Sequence, residues 1–231
     1  MTTYNIIGDI HGRTSWKELV DASYVNIFIG DYFDPYERIP FAKLKRNFLE
    51  IIEYKKEHPD NVVLLYGNHD YEYLPKVIEL SNRYDSQNAE NIRALLVDSA
   101  SLFYGVAYAI GEKYLVSHAG VSRPWQKKHL PDVEDICPSN MAKAINALWK
   151  RSKRAFGFDG NADFMDFYGD SPGHSPIWIR PMSLDMSNLY KQSEVIQIVG
   201  HTQMKDITEA EGLIFVDCLG TVAKSKHIVV E

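Results

Sequence analysis

A repeated unit near the start of the chain constrains the fold most: a short apolar run ends at a glycine, and polar residues follow. Three such runs are present, namely Tyr4–Ile7, Val25–Ile29 and Val62–Tyr66. Short runs rich in β-branched and aromatic residues that stop at turn residues are typical of buried strands. Segments with helical apolar spacing accompany them, namely one after Thr14, one within Phe41–Lys56 and one around Tyr73–Ser81. This alternation predicts a βαβ beginning, with polar loops at the strand ends.

The second half of the chain has the pattern of antiparallel strands. Ser101–Ile110 and Lys113–Ser117 flank the turn pair Gly111-Glu112, which predicts a hairpin. A second pair, Asp206–Ala210 and Leu213–Val216, turns at Glu211-Gly212. Together with Val195–Val199 and Ala223–Val230, these runs predict a second sheet.

Residues from about 122 to 176 form a polar segment that differs from the rest of the chain. It is helical in pattern over Asn140–Arg154 and rich in glycine, aspartate and proline near 157–176. Its composition does not mark a linker to an independent domain. We therefore interpret residues 1–231 as a single domain that carries a helical or loop lid at about 122–176.

Composition excludes several classes of function. The 231 residues are 45% hydrophobic, enough for a full core, and the formal net charge of -6 argues against a nucleic acid polymer or an anionic membrane as partner. The sequence begins MTTYNIIGDIHG, without a secretory pattern, and lacks an apolar run of roughly 20 residues. We expect a cytoplasmic protein in which Cys137 and Cys218 are free thiols.

Five loops contain the residues that could carry chemistry: Gly8–Gly12, Gly30–Asp34, Gly67–Asp70, Ser117–Gly120 and Gly200–Thr202. In the first loop Asp9 and His11 alternate with Ile10, so on an extended strand end both side chains would point to the same side. A carboxylate and an imidazole without a thiolate suit Mn²⁺, Fe or Zn²⁺. The sequence therefore predicts a metal site at the strand ends.

The ordered motifs GDIHG, GDxxD, GNHD, SHAG and GHT resemble those of the calcineurin-like metallophosphoesterase superfamily. The GHT ending is similar to its phosphoprotein (Ser/Thr) phosphatase branch. This resemblance implies an α/β fold of four layers, an α/β/β/α sandwich in which two mixed β-sheets are flanked by helices. It also implies two metal ions as cofactors, with Mn²⁺ as the first candidate and Fe or Zn²⁺ as alternatives.

Matching positions imply the roles of individual residues. Asp9, His11 and Asp31 would hold the first metal, with Asp31 bridging to the second. The second metal would be completed by Asn68, His118 and His201. His69 would protonate the leaving oxygen, and Asp34 would orient it. The segment Ile177–Pro181 resembles the family's tryptophan-containing segment, whose arginine binds phosphate, so Arg180 is assigned that role.

Two positions depart from patterns found within the superfamily. Pro35 follows GDxxD where that branch usually has a phosphate-binding arginine, and Gln203 stands where many other branches have a second histidine. Arg38 lies nearby, although a surface role is the simpler interpretation of an exposed loop arginine. A turn role is the alternative for Asp34, because aspartate is common beside proline in turns.

These observations favour hydrolysis of a phosphomonoester by a metal-activated water, with a phosphoprotein as the first substrate to test. A dinucleoside polyphosphate or another nucleotide is the alternative substrate. A catalytically inactive binding scaffold is the alternative of a different class. The presence of His69 beside a full ligand set argues against the scaffold, because binding alone has no need of an unliganded histidine there.

Overall fold

The computed structural model of the protein describes residues 1–78, 81, 83–158, 170–189 and 194–231. Within them the strands are β1 (Thr2–Ile7), β2 (Val25–Phe28), β3 (Val62–Leu64), β4 (Ala107–Ile110), β5 (Tyr114–Ser117), β6 (Ile196–Val199), β7 (Thr208–Ala210), β8 (Leu213–Phe215) and β9 (Lys226–Val230). The α-helices are α1 (Phe41–Glu57), α2 (Asn68–Tyr71), α3 (Ala89–Asp98), α4 (Arg123–His129), α5 (Pro138–Arg151) and α6 (Pro181–Ser187). Short 3-10 turns cover Ser15–Glu18, Ala100–Leu102 and Lys153–Phe156.

The first sheet has the strand order β3-β2-β1-β9. Strands β1, β2 and β3 are parallel, as the βαβ pattern predicts, and β1 pairs with β2 so that Tyr4 lies opposite Val25. Strand β9 pairs antiparallel with β1, with Thr2 opposite Val230. The prediction that residues 223–230 belong to the second sheet is therefore wrong. Apolar alternation identifies a strand, but its partner is chosen by tertiary packing.

The second sheet has the order β4-β5-β6-β8-β7. Both predicted hairpins are present, since β4 pairs antiparallel with β5 and β7 pairs antiparallel with β8. The three central strands β5, β6 and β8 run parallel to one another. Both sheets are therefore mixed, as the resemblance implied.

Successive side chains of a strand point to opposite faces of its sheet, and this alternation places them in different layers of the fold. Ile27 on β2 and Ile198 on β6 belong to the apolar cluster between the two sheets. Phe28, the next residue on β2, belongs to the cluster that includes Phe48 and Ile51 of α1. Each central strand thus buries one face against the other sheet and one against helices. The predicted four-layer α/β/β/α sandwich is confirmed.

The segment after β3 differs from the prediction. Helix α2 ends at Tyr71, and the described residues from Glu72 to Ile78 form turns, not the helix predicted around Tyr73–Ser81. Pro75 explains why α2 does not continue into this segment, because proline clashes with the carbonyl four residues before it, here that of Tyr71. The helix α3 follows instead, at Ala89–Asp98.

The predicted insertion contains α4 and α5, and α5 packs against β4. The Asn146 side chain accepts hydrogen bonds from the backbone N–H groups of Val106 and Ala107, at 2.9 and 3.1 Å, and donates one to the Ala107 carbonyl at 2.7 Å. Residues 159–169 of the insertion lie outside the described residues. A lid function for 122–176 stays a prediction.

No helix in the described ranges combines the length and the apolar character that crossing a bilayer requires.

The amide of Asn146 should contribute measurably to stability. We expect Asn146→Ala to lower the free energy of unfolding by roughly 2–4 kcal/mol, because two buried N–H groups lose their acceptor. Urea denaturation followed by circular dichroism measures the change. Lys143→Ala, at an exposed position of the same helix, is the matched control. Equal stability of the two variants would contradict the anchoring role of Asn146.

Candidate active site

The five predicted loops meet at one edge of the sandwich. Three follow β1, β2 and β3 of the first sheet, and two follow β5 and β6 of the second. The carboxyl ends of parallel strands lie at the same edge, where such sheets commonly bind ligands. All six predicted metal ligands are buried there: Asp9, His11, Asp31, Asn68, His118 and His201.

Backbone conformation, more than strand alternation, aims these side chains. His11, Asp31, Asp34 and His201 have φ values of 42, 56, 56 and 66°, in the left-handed region that residues other than glycine seldom adopt. Strand β1 already ends at Ile7. The prediction that Asp9 and His11 converge because they lie on an extended strand end is therefore wrong in its geometry. Strained backbone of this kind clusters at functional sites.

Two glycines make room for the buried carboxylates. A Cβ atom at Gly67 would lie 2.1 Å from Asp31 Oδ1, and one at Gly200 would lie 2.2 Å from Asp9 Oδ1. Any side chain at these positions would push the carboxylate away from the centre of the site. The glycines of the GNHD and GHT motifs thus have a steric role.

Asp31 lies at the centre of the site. Its Oδ2 atom is 3.5 Å from His11 Nε2 and 3.4 Å from His118 Nε2, so one carboxylate oxygen lies between two imidazoles. Its Oδ1 atom accepts a hydrogen bond of 2.9 Å from the His69 backbone N–H. Burial opposes charge on Asp31, but His118 and His69 outweigh it and hold the pKa of Asp31 well below its ordinary value.

A second group forms around Asn68. Its Oδ1 atom lies 2.9 Å from His118 Nε2 and 2.9 Å from His201 Nδ1. On the other side of His118, Nδ1 is 2.9 Å from the carbonyl oxygen of Ile29. Nδ1 must therefore carry a proton, so Nε2 of a neutral His118 presents a lone pair toward the lone pairs of Asn68.

This donor set fits a bound cation. Lone pairs at hydrogen-bond distance repel one another unless a proton or a metal ion lies between them. Burial lowers the pKa of His118, but the charges of Asp31 and Asp9 raise it to about 10, so this point attracts positive charge. The His11 ring is oriented in a similar way. Its Nδ1 donates to the Phe33 carbonyl at 2.8 Å, so the lone pair of Nε2 faces Asp31. Oxygen and nitrogen ligands of this kind suit a divalent transition metal.

Asp9 completes the acidic centre. Both of its carboxylate oxygens accept from the His201 backbone N–H, at 3.2 and 3.0 Å. Burial and the neighbouring charge of Asp217 raise the pKa of Asp9 well above its ordinary value. Burial and Asp31 also raise the pKa of Asp217, to about 6. Carboxylates this close favour a cation that relieves their repulsion.

His69 and Asp34 meet as the sequence predicts. His69 Nδ1 donates to Asp34 Oδ2 at 2.9 Å, and both side chains are buried. The Tyr73 hydroxyl donates to Asp34 Oδ1 at 2.5 Å and accepts from the Asp85 backbone N–H at 2.7 Å. Asp34 therefore has a partner on each oxygen, and the turn role considered for it does not account for these contacts. No sequence pattern pointed to Tyr73, which lies in the segment predicted to be helical.

Asp70 is expected from the sequence to cap the helix that follows it, and the structure adds contacts to a second loop. Its carboxylate accepts hydrogen bonds from the backbone N–H groups of Gly67, Asp31 and Tyr32, at 2.9, 2.7 and 3.0 Å. The first of these caps the start of α2. The other two fix the loop that carries Asp31, so Asp70 positions a predicted metal ligand.

Cationic side chains line the pocket beside these groups. The pocket has a volume of about 190 Å³ and is lined by residues that include His69, Tyr36, Trp178, Arg83 and Arg180. Arg180 donates to the Thr202 hydroxyl at 3.1 Å and to the His201 carbonyl at 3.4 Å. No sequence motif predicted Arg83 at this pocket, and Arg38 is exposed and outside the lining.

The sequence profile of the family described as calcineurin-like phosphoesterase matches residues 3–205. The chain belongs to this family. A calcineurin-like phosphoesterase is a metal-dependent hydrolase of phosphoric esters, and the family uses a dinuclear metal centre. The buried donor set around Asp31 and Asn68 agrees with that chemistry. No curated protein sequence matches the chain significantly.

Solved structures share the phosphoesterase fold. A cold-active protein-tyrosine phosphatase from Shewanella is 18% identical, with a TM-score of 0.63 over 97% of this chain and 73% of that one. A protein serine/threonine phosphatase from Saccharomyces cerevisiae is 18% identical, with a TM-score of 0.56 over 93% of this chain and 66% of that one. At this identity the likeness establishes the fold alone.

The phosphoesterase contains two groups of potential ligands within its described residues. Ligand atoms lie within 4.8 Å of one another in the group Asp9, Asp31 and His118, and in the group Asp34, His69 and Glu72. In the second group Ser81 donates to Glu72 Oε2 at 2.9 Å, while Oε1 has no partner among the described residues. Burial raises the pKa of Glu72 to about 8.

Glu72 should make stability depend on pH. Its pKa in the folded protein lies above its value in the unfolded chain, so the folded state favours the protonated form. Stability is therefore full below about pH 4.5 and falls as pH rises toward 8. We expect Glu72→Gln to raise the melting temperature of the metal-free protein by several degrees at pH 9 and by little at pH 5. Thermal unfolding at both pH values measures this; an equal shift at the two would contradict it.

Proposed function

We propose that this phosphoesterase hydrolyses a phosphomonoester, with phosphoserine or phosphothreonine in a protein as its substrate. One observation carries the proposal: His69, held by Asp34, lines the same small pocket as Asp31, Asn68 and Arg180. Metal ligands, a proton carrier and a cation thus border a single space. That combination is what removal of a phosphoryl group requires.

The ligand set divides around Asp31. Asp9, His11 and Asp31 would hold one ion, and Asn68, His118 and His201 would hold the other together with Asp31. The oxygen Oδ2 of Asp31, between His11 and His118, supports the bridging position. Bound metal ions polarise phosphoryl oxygens and lower the pKa of water. Mn²⁺ is the metal we propose first, with Fe and Zn²⁺ as alternatives.

His69 supplies the proton for the leaving oxygen in this proposal. Asp34 accepts from Nδ1–H, so Nε2 is the atom that has to carry the transferred proton. In this structure Nε2 accepts a hydrogen bond from Arg83 Nη2 at 2.9 Å, so His69 acts as the acid once the substrate takes this donor and Nε2 is protonated. Tyr73 occupies the other oxygen of Asp34 and keeps the carboxylate from rotating away from His69. A carboxylate that orients an imidazole in this way favours its role as a general acid.

Arg180 contacts the phosphoryl oxygens in this proposal. Its guanidinium is anchored on the GHT loop through Thr202 and the His201 carbonyl, beside the group of ligands around Asn68. A planar guanidinium that is fixed in place binds phosphate through paired, charge-assisted hydrogen bonds. The residue thereby orients the group that water attacks.

Activity should depend on the buried ligands. We expect hydrolysis of p-nitrophenyl phosphate by the Mn²⁺-loaded protein, loss of that activity in EDTA, and its return with added Mn²⁺. Asp31→Asn should abolish activity because the centre loses its shared negative charge. His227→Ala, on an exposed position of β9, should not change it. Absence of hydrolysis with Mn²⁺, Fe and Zn²⁺ alike would support the inactive scaffold instead.

The role of His69 predicts a dependence on the leaving group. His69→Ala should lower kcat on a phosphoserine peptide by about 10²–10⁴-fold, the usual range for a general acid. It should lower kcat on p-nitrophenyl phosphate much less, since p-nitrophenolate leaves without a proton. Steady-state kinetics on both substrates gives the comparison. An equal loss on both would mean that His69 shapes the site without donating a proton.

A nucleotide is the second candidate substrate. Pro35 stands where protein phosphatases of this family usually carry an arginine, and the rings of Tyr36 and Trp178 border the pocket. Parallel assays on a phosphothreonine peptide and a dinucleoside tetraphosphate separate the two. We expect the higher kcat/KM on the peptide, and a higher value on the dinucleotide would overturn that choice.

A further inference from the structure

Arg83 reaches the pocket from a part of the chain in which the family motifs have no residue. Its Nη2 atom lies 2.9 Å from His69 Nε2, and its Nη1 atom donates to the Asp34 carbonyl at 3.3 Å. Its guanidinium carbon lies 3.6 Å from the centre of the Tyr36 ring. The guanidinium is therefore held by polar contacts at its nitrogens and by an aromatic ring at its face.

We infer that Arg83 binds the phosphoryl group of the substrate and takes the place of the arginine that is absent at Pro35. The inference rests on the proposed function, which it deepens by naming a second phosphate-binding cation. The carbonyl that Arg83 contacts belongs to Asp34, the residue directly before Pro35. The guanidinium thus occupies the neighbourhood of the loop from which that arginine is missing.

Charge supports this assignment. Arg83 and Arg180 line the same pocket. Arg83 is anchored by the backbone carbonyl of Asp34, and Arg180 by that of His201. Two guanidinium groups that border a pocket of about 190 Å³ make the pocket attractive to an anion. A phosphate group carries about two negative charges near neutral pH and accepts several hydrogen bonds. Its size and charge suit that position.

Hydrogen-bond capacity supports it as well. A guanidinium has five N–H donors, and the contacts to His69 and Asp34 use one on each of two nitrogens. Each of these nitrogens carries a second N–H that a phosphate oxygen can accept. Tyr36 contributes packing against the face of the guanidinium, so it stabilises the cation without consuming a donor.

A purely structural role for Arg83 predicts a different outcome. In that case its contact with His69 would only position the imidazole, and the affinity of the site for phosphate would not depend on Arg83. The affinity of the protein for phosphate separates the two roles, because binding can be measured without catalysis. Arg83→Met removes the charge and keeps an apolar chain against Tyr36, whereas Arg83→Lys keeps the charge without the planar fork.

The experiment titrates inorganic phosphate into the Mn²⁺-loaded protein by calorimetry and measures kinetics on a phosphoserine peptide. Arg83→Met should weaken phosphate binding by about 10- to 100-fold, the range for a hydrogen bond to a charged group, and raise KM. Arg83→Lys should lie between Arg83→Met and the unaltered protein. Arg38→Ala, an exposed arginine of the neighbouring loop, should bind phosphate as the unaltered protein does.

The outcomes separate this inference from the proposed function. Phosphate binding that depends on Arg83, without hydrolysis of any phosphomonoester, would support the phosphate-binding role of Arg83 and overturn the proposed hydrolysis. Hydrolysis of a phosphomonoester, together with unchanged phosphate affinity in Arg83→Met, would overturn the phosphate-binding role of Arg83 and leave the proposed function unaffected. Equal phosphate affinity in Arg83→Met and Arg83→Lys overturns the role of charge, because only the lysine is a cation.

Discussion

Negative charge buried at the ends of five strands is the constraint on which the rest of this structure depends. Asp9 and Asp31 are almost fully removed from solvent, where an uncompensated carboxylate is costly. Backbone N–H groups of His201 and His69 and the imidazole of His118 provide partial compensation. The pKa of His118, raised to about 10, reflects how strongly this centre attracts positive charge. That imbalance favours a bound cation.

The sandwich supplies the rigidity that such a centre needs. Its loops follow paired strands from both sheets, and Asp70 ties the Asp31 loop to the start of α2 through backbone N–H groups. Strained backbone at His11 and His201 persists because neighbouring elements fix the loops on both sides. Packing of the sandwich and of its loops thus holds both the buried charge and the strained backbone in place.

The sequence predicted the parts of the molecule that local patterns determine. Strand runs that end at glycine, and the motif residues after them, led to the βαβ beginning, both hairpins and the convergence of Asp9 through His201. It did not predict the pairing of β9 with β1 or the loss of helix at Pro75, because strand partners and chain breaks depend on packing across the fold. Tyr73 and Arg83 were missed for the same reason: their contacts with Asp34 span 39 and 49 residues of sequence.

We propose that the Asp31 carboxylate is shared between two metal ions. Anomalous diffraction from crystals soaked in Mn²⁺ tests it most directly. If Asp31 bridges two ions, the map contains two peaks, one beside Asp9 and His11 and one beside Asn68, His118 and His201, with the Asp31 carboxylate between them. A single peak, or a peak among Asp34, His69 and Glu72 in place of either, would contradict it.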